Sequence, residues 1–490
     1  MSRASISMGG FELNLGEKSD KPTSAGDNSF NILLLGNFSG IQGSSAISRP
    51  RLLNIDRDNF DNLLETIHPH LSIPLVGEDT LAQDLSFSCL EDFEPDAIYQ
   101  QAQVFQHLRG LRSRLQDPAS FDDAAAELGY QDTPAQSQAV LEGDDIFSAV
   151  IENTSQVLDV QSDLEAYVRQ IIAPFSSPRA HPKTAELVAL VDNAISEQMR
   201  QILHHPKFQA LESTWRGLDM LIRRLDTNPR LRVNLVDINQ QSLVDDLNAS
   251  DDLETSGIYK LLVTDNSAPS SRHPSLVIGL YTVDRDIEDM VTLARMGTVA
   301  RAANCSFIAS ASTRFVHEGE LLQTYDSDDW ACDWSYDEKA AWEYLLSIPE
   351  AQHIALTLPR FLLRLPYGKN TSPVESFAFE EMASGVVGKD FLWGNTALLA
   401  ALVYGQAFET QDWDLQLTPI ERIKRLPVFS YKNEYGENEN LSCAETVLNE
   451  KGGRKIRNLG ISALWWVRDT DEVQLGLHSL TGNKLVGPWH

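Results

Sequence analysis

Two arginines and two glutamates lie in the passage of the sequence where interactions between buried charged groups are most expected. Arg360 and Arg364 stand inside the apolar run IALTLPRFLLRLPYG, and Glu380 and Glu381 follow a short turn-rich stretch later. A cation in an apolar core is costly unless a carboxylate pairs with it. The sequence therefore predicts ion pairs between these arginines and Glu380 or Glu381. A structural role is favoured over a reactive site, because perturbed charge networks are often only structural.

The backbone that carries the arginines is predicted to be extended. Pro359 and Pro366 interrupt any helix, because proline lacks an N–H group and pushes the preceding residue toward extended geometry. Leu356–Leu358 and Phe361–Leu365 therefore read as short buried strands. Trp393, in the following FLWGN motif, is a further candidate for a structural or assembly role.

Strand and helix patterns alternate before this passage. Leu211, Trp215, Leu218 and Ile222 follow helical spacing, which makes Trp215 a structural candidate on an apolar helix face. The runs RLRVNLVDI, YKLLVTD, SLVIGLYTVD and CSFIASAS predict strands. Strands that alternate with helices indicate an α/β fold with a largely parallel sheet.

The N-terminal residues alternate between apolar and polar types. Ile6, Met8, Phe11 and Leu13 predict a single strand, followed by a turn-rich linker. A lone strand cannot satisfy its own backbone groups, so pairing with a sheet edge, including one of another subunit, is one interpretation. An unpaired terminal tail is the alternative.

The fold class predicted for the whole chain is α/β with an α+β tail. Its predicted divisions are an N-terminal strand arm and linker (1–29), a small α/β domain (30–115), a helical connector (116–183), a larger α/β core domain (184–415) and an α+β segment (416–490).

The net charge of the chain disfavours some classes of binding partner. With 70 Asp and Glu against 40 Lys and Arg, the net charge of −30 disfavours binding to nucleic acid or anionic membranes and favours basic partners. The four cysteines show no zinc-binding spacing, which is typical of a reducing compartment. No signal peptide or membrane span is predicted, so a cytoplasmic location is expected.

The motifs of common enzymes are missing from the sequence. It contains no G-x-S-x-G elbow, H-E-x-x-H zinc motif or G-x-G-x-x-G loop, and GNFSGIQGSS lacks the Lys-Ser/Thr pair of a phosphate loop. We therefore expect no catalytic, cofactor-binding or metal-binding residues.

Several motifs in the same order resemble the two sheath proteins of bacterial type VI secretion systems. FNILLLGNFSG, NIDRDNFDNLLETIHPHL and LSFSCLEDFEPDAI are similar to the small sheath subunit (TssB/VipA family). HPKFQALESTWRGLDMLI, LYTVDRDIEDMVTLARMGTVARAANCSFIASAS, LTLPRFLLRLPYG and FLWGN are similar to the large subunit (TssC/VipB family). The resemblance extends from about Asn28 to Phe408 and places both subunits in one chain.

The resemblance implies a structural protein that assembles into rings or a helical contractile sheath around an inner tube. The partners it implies are further copies of the chain, an inner-tube protein of the Hcp family, baseplate components, a ClpV-type AAA+ ATPase and separate sheath subunits. Two alternatives remain open at this point. The chain could be a sheath-like baseplate, cap or adaptor component that forms no tubes alone, or an enzyme built on the same scaffold, which a ligand-sized pocket near the arginines would favour.

Overall fold

The fold is described by a computed structural model. It covers residues 5–8, 11–14, 29–43, 47, 50–74, 82–128, 184–264, 273–319, 321–323, 326–382, 388–432 and 435–489. The strands in these residues are β1 Ser5–Met8, β2 Phe11–Asn14, β3 Phe30–Gly36, β4 Leu53–Ile55, β5 His70–Pro74, β6 Ala82–Ser86, β7 Leu231–Asp237, β8 Leu276–Val283, β9 Ser306–Ala311, β10 Ile354–Leu358, β11 Phe361–Arg364, β12 Leu392–Gly394, β13 Glu421–Ile423, β14 Ser430–Lys432, β15 Asn438–Asn440, β16 Ser462–Trp466 and β17 Val473–Leu475. The helices are α1 Phe60–Ile67, α2 Pro95–Gln101, α3 Gln103–Gln116, α4 Phe121–Glu127, α5 Thr184–Leu203, α6 Pro206–Arg224, α7 Gln240–Asn248, α8 Gly257–Tyr259, α9 Ile287–Ala302, α10 Tyr336–Ser347, α11 Ala397–Gln411 and α12 Glu450–Asn458.

Nine of these strands form one mixed sheet. Their order is β13-β17-β16-β10-β9-β8-β3-β7-β4. The six strands from β16 to β7 run parallel to one another, and β4, β17 and β13 are added in antiparallel fashion. Helices cover both faces of the sheet, which confirms the predicted α/β fold.

Strand β3 lies inside the sheet although it is far from its neighbours in sequence. It pairs along its whole length with β7, from Phe30 opposite Leu231 to Gly36 opposite Asp237, and it pairs with β8 on its other side. Alternate residues enter the two core layers, with Ile32 on one face and Leu33 on the other. Burial on both faces explains why this strand is a continuous apolar run.

The N-terminal and central parts of the chain share one hydrophobic core. Helices α2 and α3 and the antiparallel β5–β6 pair contribute residues to the same buried cluster as α5, α6 and α11. Phe87 and Phe93 stack at 4.1 Å between ring centroids, and both contact Phe208 of α6 edge-on. The predicted boundaries at residues 115 and 184 therefore divide the sequence, but the hydrophobic core continues across them. Residues 129–183, which make up most of the predicted connector, lie outside the described residues.

One predicted strand is a helix in the structure. YKLLVTD was expected to extend, but the chain forms α8 and continues into a π-helical turn over Lys260–Thr264. The Asp246 carboxylate accepts hydrogen bonds from the N–H groups of Gly257 and Ile258 at 2.8 and 2.9 Å. This tertiary contact supports a helix start that the short apolar run did not reveal.

The N-terminal residues form a hairpin, where a single strand was predicted. β1 pairs with β2 in antiparallel register, from Ser5 opposite Asn14 to Met8 opposite Phe11. The candidates Ile6, Met8, Phe11 and Leu13 all lie within these two strands, and the positions of their side chains are outside the described structure.

The C-terminal segment extends the main sheet. β16 continues the parallel order next to β10, β17 and β13 add antiparallel strands, and β14 and β15 form a separate hairpin. β13 and β4 are thus the two outer strands of the nine. In the described part of the chain, no helix combines the length and apolar character needed to cross a bilayer.

Candidate functional site

The apolar passage of the sequence places its two arginines on adjoining short strands and turns. β10 is fully buried and parallel to β9 and β16, and β11 pairs with β12. The predicted extended segments are thereby confirmed, although in the second segment only Phe361 and Leu362 are buried and Leu363–Leu365 are partly exposed. Arg360 lies in the turn between β10 and β11, and Arg364 ends β11.

Arg364 is held between two buried carboxylates. Its Nε donates to Oε1 of Glu212 at 2.7 Å, and its Nη1 donates to Oε2 of Glu381 at 2.8 Å. Second contacts from Nη2 reach Glu212 at 3.2 Å and Glu381 at 3.1 Å. The side chains of Glu212 and Glu381 are 0% and 1% exposed, so each needs a cationic partner to offset the cost of burial.

Arg216 and Tyr367 complete the buried charge network, which consists of Glu212, Arg216, Arg364, Tyr367 and Glu381. Arg216 donates to Glu212 at 2.7 Å and to the Tyr367 hydroxyl at 3.0 Å. The Tyr367 N–H donates to Glu381 at 2.7 Å, and the Arg364 guanidinium lies 4.3 Å from the Tyr367 ring centroid. The network ties helix α6 to β11 and to the segment that follows it.

The electrostatics of the network follow from burial and pairing. Burial disfavours the charged forms, but attraction to Glu212 and Glu381 prevails and holds the pKa of Arg364 well above its usual value. Burial would raise the pKa of Glu381, whereas Arg364, a contact with His204 and the Tyr367 N–H lower it from 4.5 to about 2. The Glu381 carboxylate and the Arg364 guanidinium therefore stay charged at neutral pH.

Arg360 differs from the expectation of a buried cation. Its side chain is 46% exposed, and its partner is Glu445, which is 3% exposed. The pair is bidentate, with Nε to Oε2 at 3.0 Å and Nη2 to Oε1 at 2.6 Å. Arg360 thus joins the β10–β11 turn to the C-terminal segment at the surface.

Of the two carboxylates predicted to pair with the arginines, only one does so. Glu381 pairs with Arg364 as predicted, but the prediction for Glu380 is wrong, since its exposed carboxylate accepts from the N–H of Lys369 at 3.0 Å.

Sequence reasoning missed Glu212 and Glu445 as the other partners. Glu212 precedes Trp215 by three residues and so lies within the apolar helix face, a placement that could have indicated a buried charge in need of an arginine. Glu445 follows a buried cysteine in the tail, and no local pattern links it to Arg360.

The two tryptophan candidates are buried. Trp215 is 0% exposed, donates from its indole N–H to the Phe38 carbonyl at 2.9 Å, and meets Phe38 and Phe60 edge-on. Trp393 is 8% exposed and lies on β12 next to Phe391. Trp215 therefore joins α6 to the N-terminal segment inside the core and offers no surface for assembly.

A polar cleft of about 160 Å³, here called the junction cleft, opens beside the network. Its lining includes Glu94 and Asp96 from the start of α2, Arg216 from α6, and Arg364 and Tyr367. Most small-molecule pockets hold roughly 300–1,000 Å³, so this cleft suits a single side chain better than a metabolite. Arg360, Glu380 and Glu381 do not line it.

Acid is expected to destabilise the protein through Glu381. Because its folded pKa of about 2 lies below 4.5, its stabilisation is fully present above pH 4.5 and is lost as the pH falls toward 2. The loss reaches roughly 3 kcal/mol, since one pKa unit corresponds to about 1.4 kcal/mol. Urea unfolding of the native chain and of Glu381→Gln at pH 5 and pH 3 measures it. Equal pH dependence in the two proteins would contradict this assignment.

Comparisons with known proteins match the two parts of the chain separately. The family model VipB, a tail sheath N-terminal domain, matches residues 185–479, and the type VI secretion system VipA model matches residues 20–127. The resemblance found in the sequence ended at Phe408. The VipB match continues 71 residues further and includes β13, β16 and β17.

Two curated relatives from Pseudomonas aeruginosa show the same order. The type VI secretion system sheath protein TssC1 is 28% identical over 291 residues, which are 58% of this chain and 58% of the relative. The sheath protein TssB1 is 30% identical over 83 residues, which are 16% of this chain and 48% of the relative. The chain thus spans about half the length of each relative.

The family matches meet in the structure at strand β3, which comes from the VipA-matched residues and lies between two strands of the VipB-matched residues. Trp215 and the junction cleft lie along the same boundary, and the buried charge network lies beside the cleft within the VipB-matched residues. The chain belongs to the VipB sheath family of type VI secretion systems and carries a VipA segment fused ahead of it in the same polypeptide.

Proposed function

We propose that the chain is a structural subunit of a contractile sheath, which polymerises around an inner tube and contracts to propel it. The observation that carries this proposal is the position of β3 between β7 and β8. A chain that supplies strands from both sheath families to one sheet can act as a complete repeating unit of the sheath. The buried charge network then acts as a fixed structural brace, and the chain has no catalytic role.

The proposed mechanism needs no bond chemistry in the subunit. Contraction is a rigid-body rearrangement of subunits between two lattice packings. A core that is continuous across the two family segments would move as one body, while extended arms keep neighbouring subunits connected. The proposed partners are further copies of this chain, an inner-tube protein of the Hcp family, baseplate components, a ClpV-type ATPase and separate sheath subunits, all at a cytoplasmic location.

Electron microscopy of the purified chain tests this proposal. Negative staining of the chain alone, and then with an Hcp-family inner-tube protein, is expected to show helical tubes. Rings or monomers in both samples would favour the alternative of a baseplate, cap or adaptor component and would contradict the proposal.

The β1–β2 hairpin is proposed as one of the connecting arms. An isolated two-stranded hairpin is marginally stable in water, so pairing with an outer strand of a neighbouring copy, β4 or β13, would stabilise it. Since β1 and β2 contribute no strand to the nine-stranded sheet, the fold does not depend on them.

Deleting residues 1–20 is therefore expected to leave a folded monomer that forms no tubes. Circular dichroism and thermal unfolding measure the fold, and electron microscopy measures assembly, with the full-length chain purified in parallel as the control. Normal tubes from the truncated chain would rule out the arm.

A further inference from the structure

The turn after strand β3 lies where open parallel sheets usually bind a ligand. Numbered in chain order, the parallel strands β3, β7, β8, β9 and β10 have the spatial order 2-1-3-4-5, because β7 lies on one side of β3 and β8 on the other. Ligands of such sheets bind at the carboxyl ends of the strands between which the order reverses, here β3 and β8. The run GNFSGIQGSS, which lacks the Lys-Ser/Thr pair of a phosphate loop, begins at this end of β3.

Two neighbouring N–H groups of this turn donate to a single atom. Oδ1 of Asp237, the last residue of β7, accepts from the N–H of Phe38 at 2.7 Å and from the N–H of Ser39 at 3.1 Å. Successive backbone N–H groups that converge in this way form a concave anion site, as in many phosphate sites. A carboxylate of the chain itself therefore lies where such a turn would hold the anionic group of a ligand.

The rest of the turn is fixed by contacts with the core. The Phe38 carbonyl accepts from the indole N–H of Trp215 at 2.9 Å. The Ser39 carbonyl accepts from the N–H of His70 at 3.1 Å. Gly40 follows with a φ of 77°, and a Cβ at this position would lie 2.5 Å from the His70 carbonyl oxygen. These contacts hold the turn in one conformation and so preorganise its two converging N–H groups.

We propose that the turn after β3 is an anion-binding site that the Asp237 carboxylate occupies as an internal ligand. Phe38 and Ser39 are buried whereas Asp237 is exposed, so two buried N–H groups receive their acceptor from the surface. The contact also joins the two family segments, because the turn belongs to the VipA-matched residues and Asp237 to the VipB-matched residues. While Asp237 is present, the site takes no carboxylate or phosphate from solution. This inference goes beyond the sheath function proposed above and is tested independently of it.

Removing the carboxylate is expected to open the site. Asp237→Ala leaves the N–H groups of Phe38 and Ser39 without their acceptor. Their amide hydrogen exchange should accelerate about tenfold or more, because charge-assisted hydrogen bonds are lost. Hydrogen exchange of the full chain, followed by mass spectrometry of peptides that span the turn, measures the change in a buffer free of phosphate and carboxylates.

Formate is the probe for the opened site, because an alanine side chain and formate together contain the same heavy atoms as the aspartate side chain. Adding formate at constant ionic strength should slow exchange of the turn in Asp237→Ala, saturably and toward the native rate. Formamide has nearly the same shape without the charge and should have much less effect. Exchange of the turn in the native chain should respond neither to formate nor to inorganic phosphate, since Asp237 already occupies the site.

Two further variants control this experiment, and circular dichroism verifies that each is folded. Glu343→Ala removes an exposed carboxylate from the middle of α10 and should leave exchange of the turn at the native rate, with or without formate. Asp237→Asn keeps an acceptor oxygen without the charge, so its turn should exchange faster than the native turn even if Asp237→Ala does not fold. Native exchange rates in both Asp237 variants, no effect of formate on a folded Asp237→Ala chain, equal effects of formamide and formate, or slower exchange of the native turn in phosphate would each overturn the proposal.

Discussion

Replacing Arg364 with methionine is expected to lower the free energy of unfolding by about 3–5 kcal/mol. The substitution leaves Glu381 buried without an arginine partner and Glu212 with Arg216 alone, and breaking a buried pair from one side has a cost of this size. Urea unfolding at pH 7 measures the change. The loss should shrink as the pH falls, because protonation neutralises the stranded carboxylates.

Two variants control this experiment. Arg223→Met breaks an ion pair with Asp219 whose arginine is 70% exposed, and it should change stability by about 0.5 kcal/mol or less. The double substitution of Arg364 and Glu381 by methionine removes one cation and one carboxylate, leaves the Arg216–Glu212 pair intact, and should recover most of the loss if the network is structural. A stable Arg364→Met variant would show that the network does not brace the fold.

Replacing Trp215 with alanine is expected to have a similarly large effect, about 3–5 kcal/mol. The variant leaves a cavity between α6 and the N-terminal segment and removes the hydrogen-bond donor of the Phe38 carbonyl. Because the damage lies at the boundary between the two segments, amide hydrogen exchange in β3 should accelerate more than exchange in β16.

Tyr336→Ala is the matched control for Trp215→Ala. Tyr336 is 87% exposed at the start of α10, so its removal should change stability by about 0.5 kcal/mol or less. If Trp215→Ala were equally mild, or if exchange in β3 were unchanged, the shared core would not depend on this contact.

The elements with strong local patterns were predictable from the sequence. The strands FNILLLG, RVNLVD and SFIASA and the apolar face of α6 stand where their periodicities placed them, because each buries a face whose spacing is fixed by its own geometry. The break between α5 and α6 follows from Pro206, which begins the second helix.

The features that the sequence did not predict depend on contacts between residues that are far apart in the chain. The spacing of apolar residues within a strand does not determine the order of strands in a sheet. The run FNILLLG therefore gave no indication that β3 lies between β7 and β8. YKLLVTD is helical because the Asp246 carboxylate accepts from the N–H groups of the two residues before it, Gly257 and Ile258, and a short apolar run by itself fits either structure.

The candidate site was predicted only in part for the same reason. The cost of burying Arg364 required a carboxylate, and Glu381 was near enough in sequence to be found. Glu212, Glu445 and Glu94 come from elements that meet the arginines only after the chain has folded. The family was predicted from several motifs in the same order, and the family matches confirm that prediction.

Helical reconstruction by cryo-electron microscopy of the assembly formed by this chain alone tests the central claim most directly. The account predicts tubes in which one chain fills each repeating unit, with Phe30–Gly36 between Leu231–Asp237 and Leu276–Val283 of the same chain. Assemblies that require a separate small sheath subunit to occupy the position of β3, or no tubes at all, would contradict it.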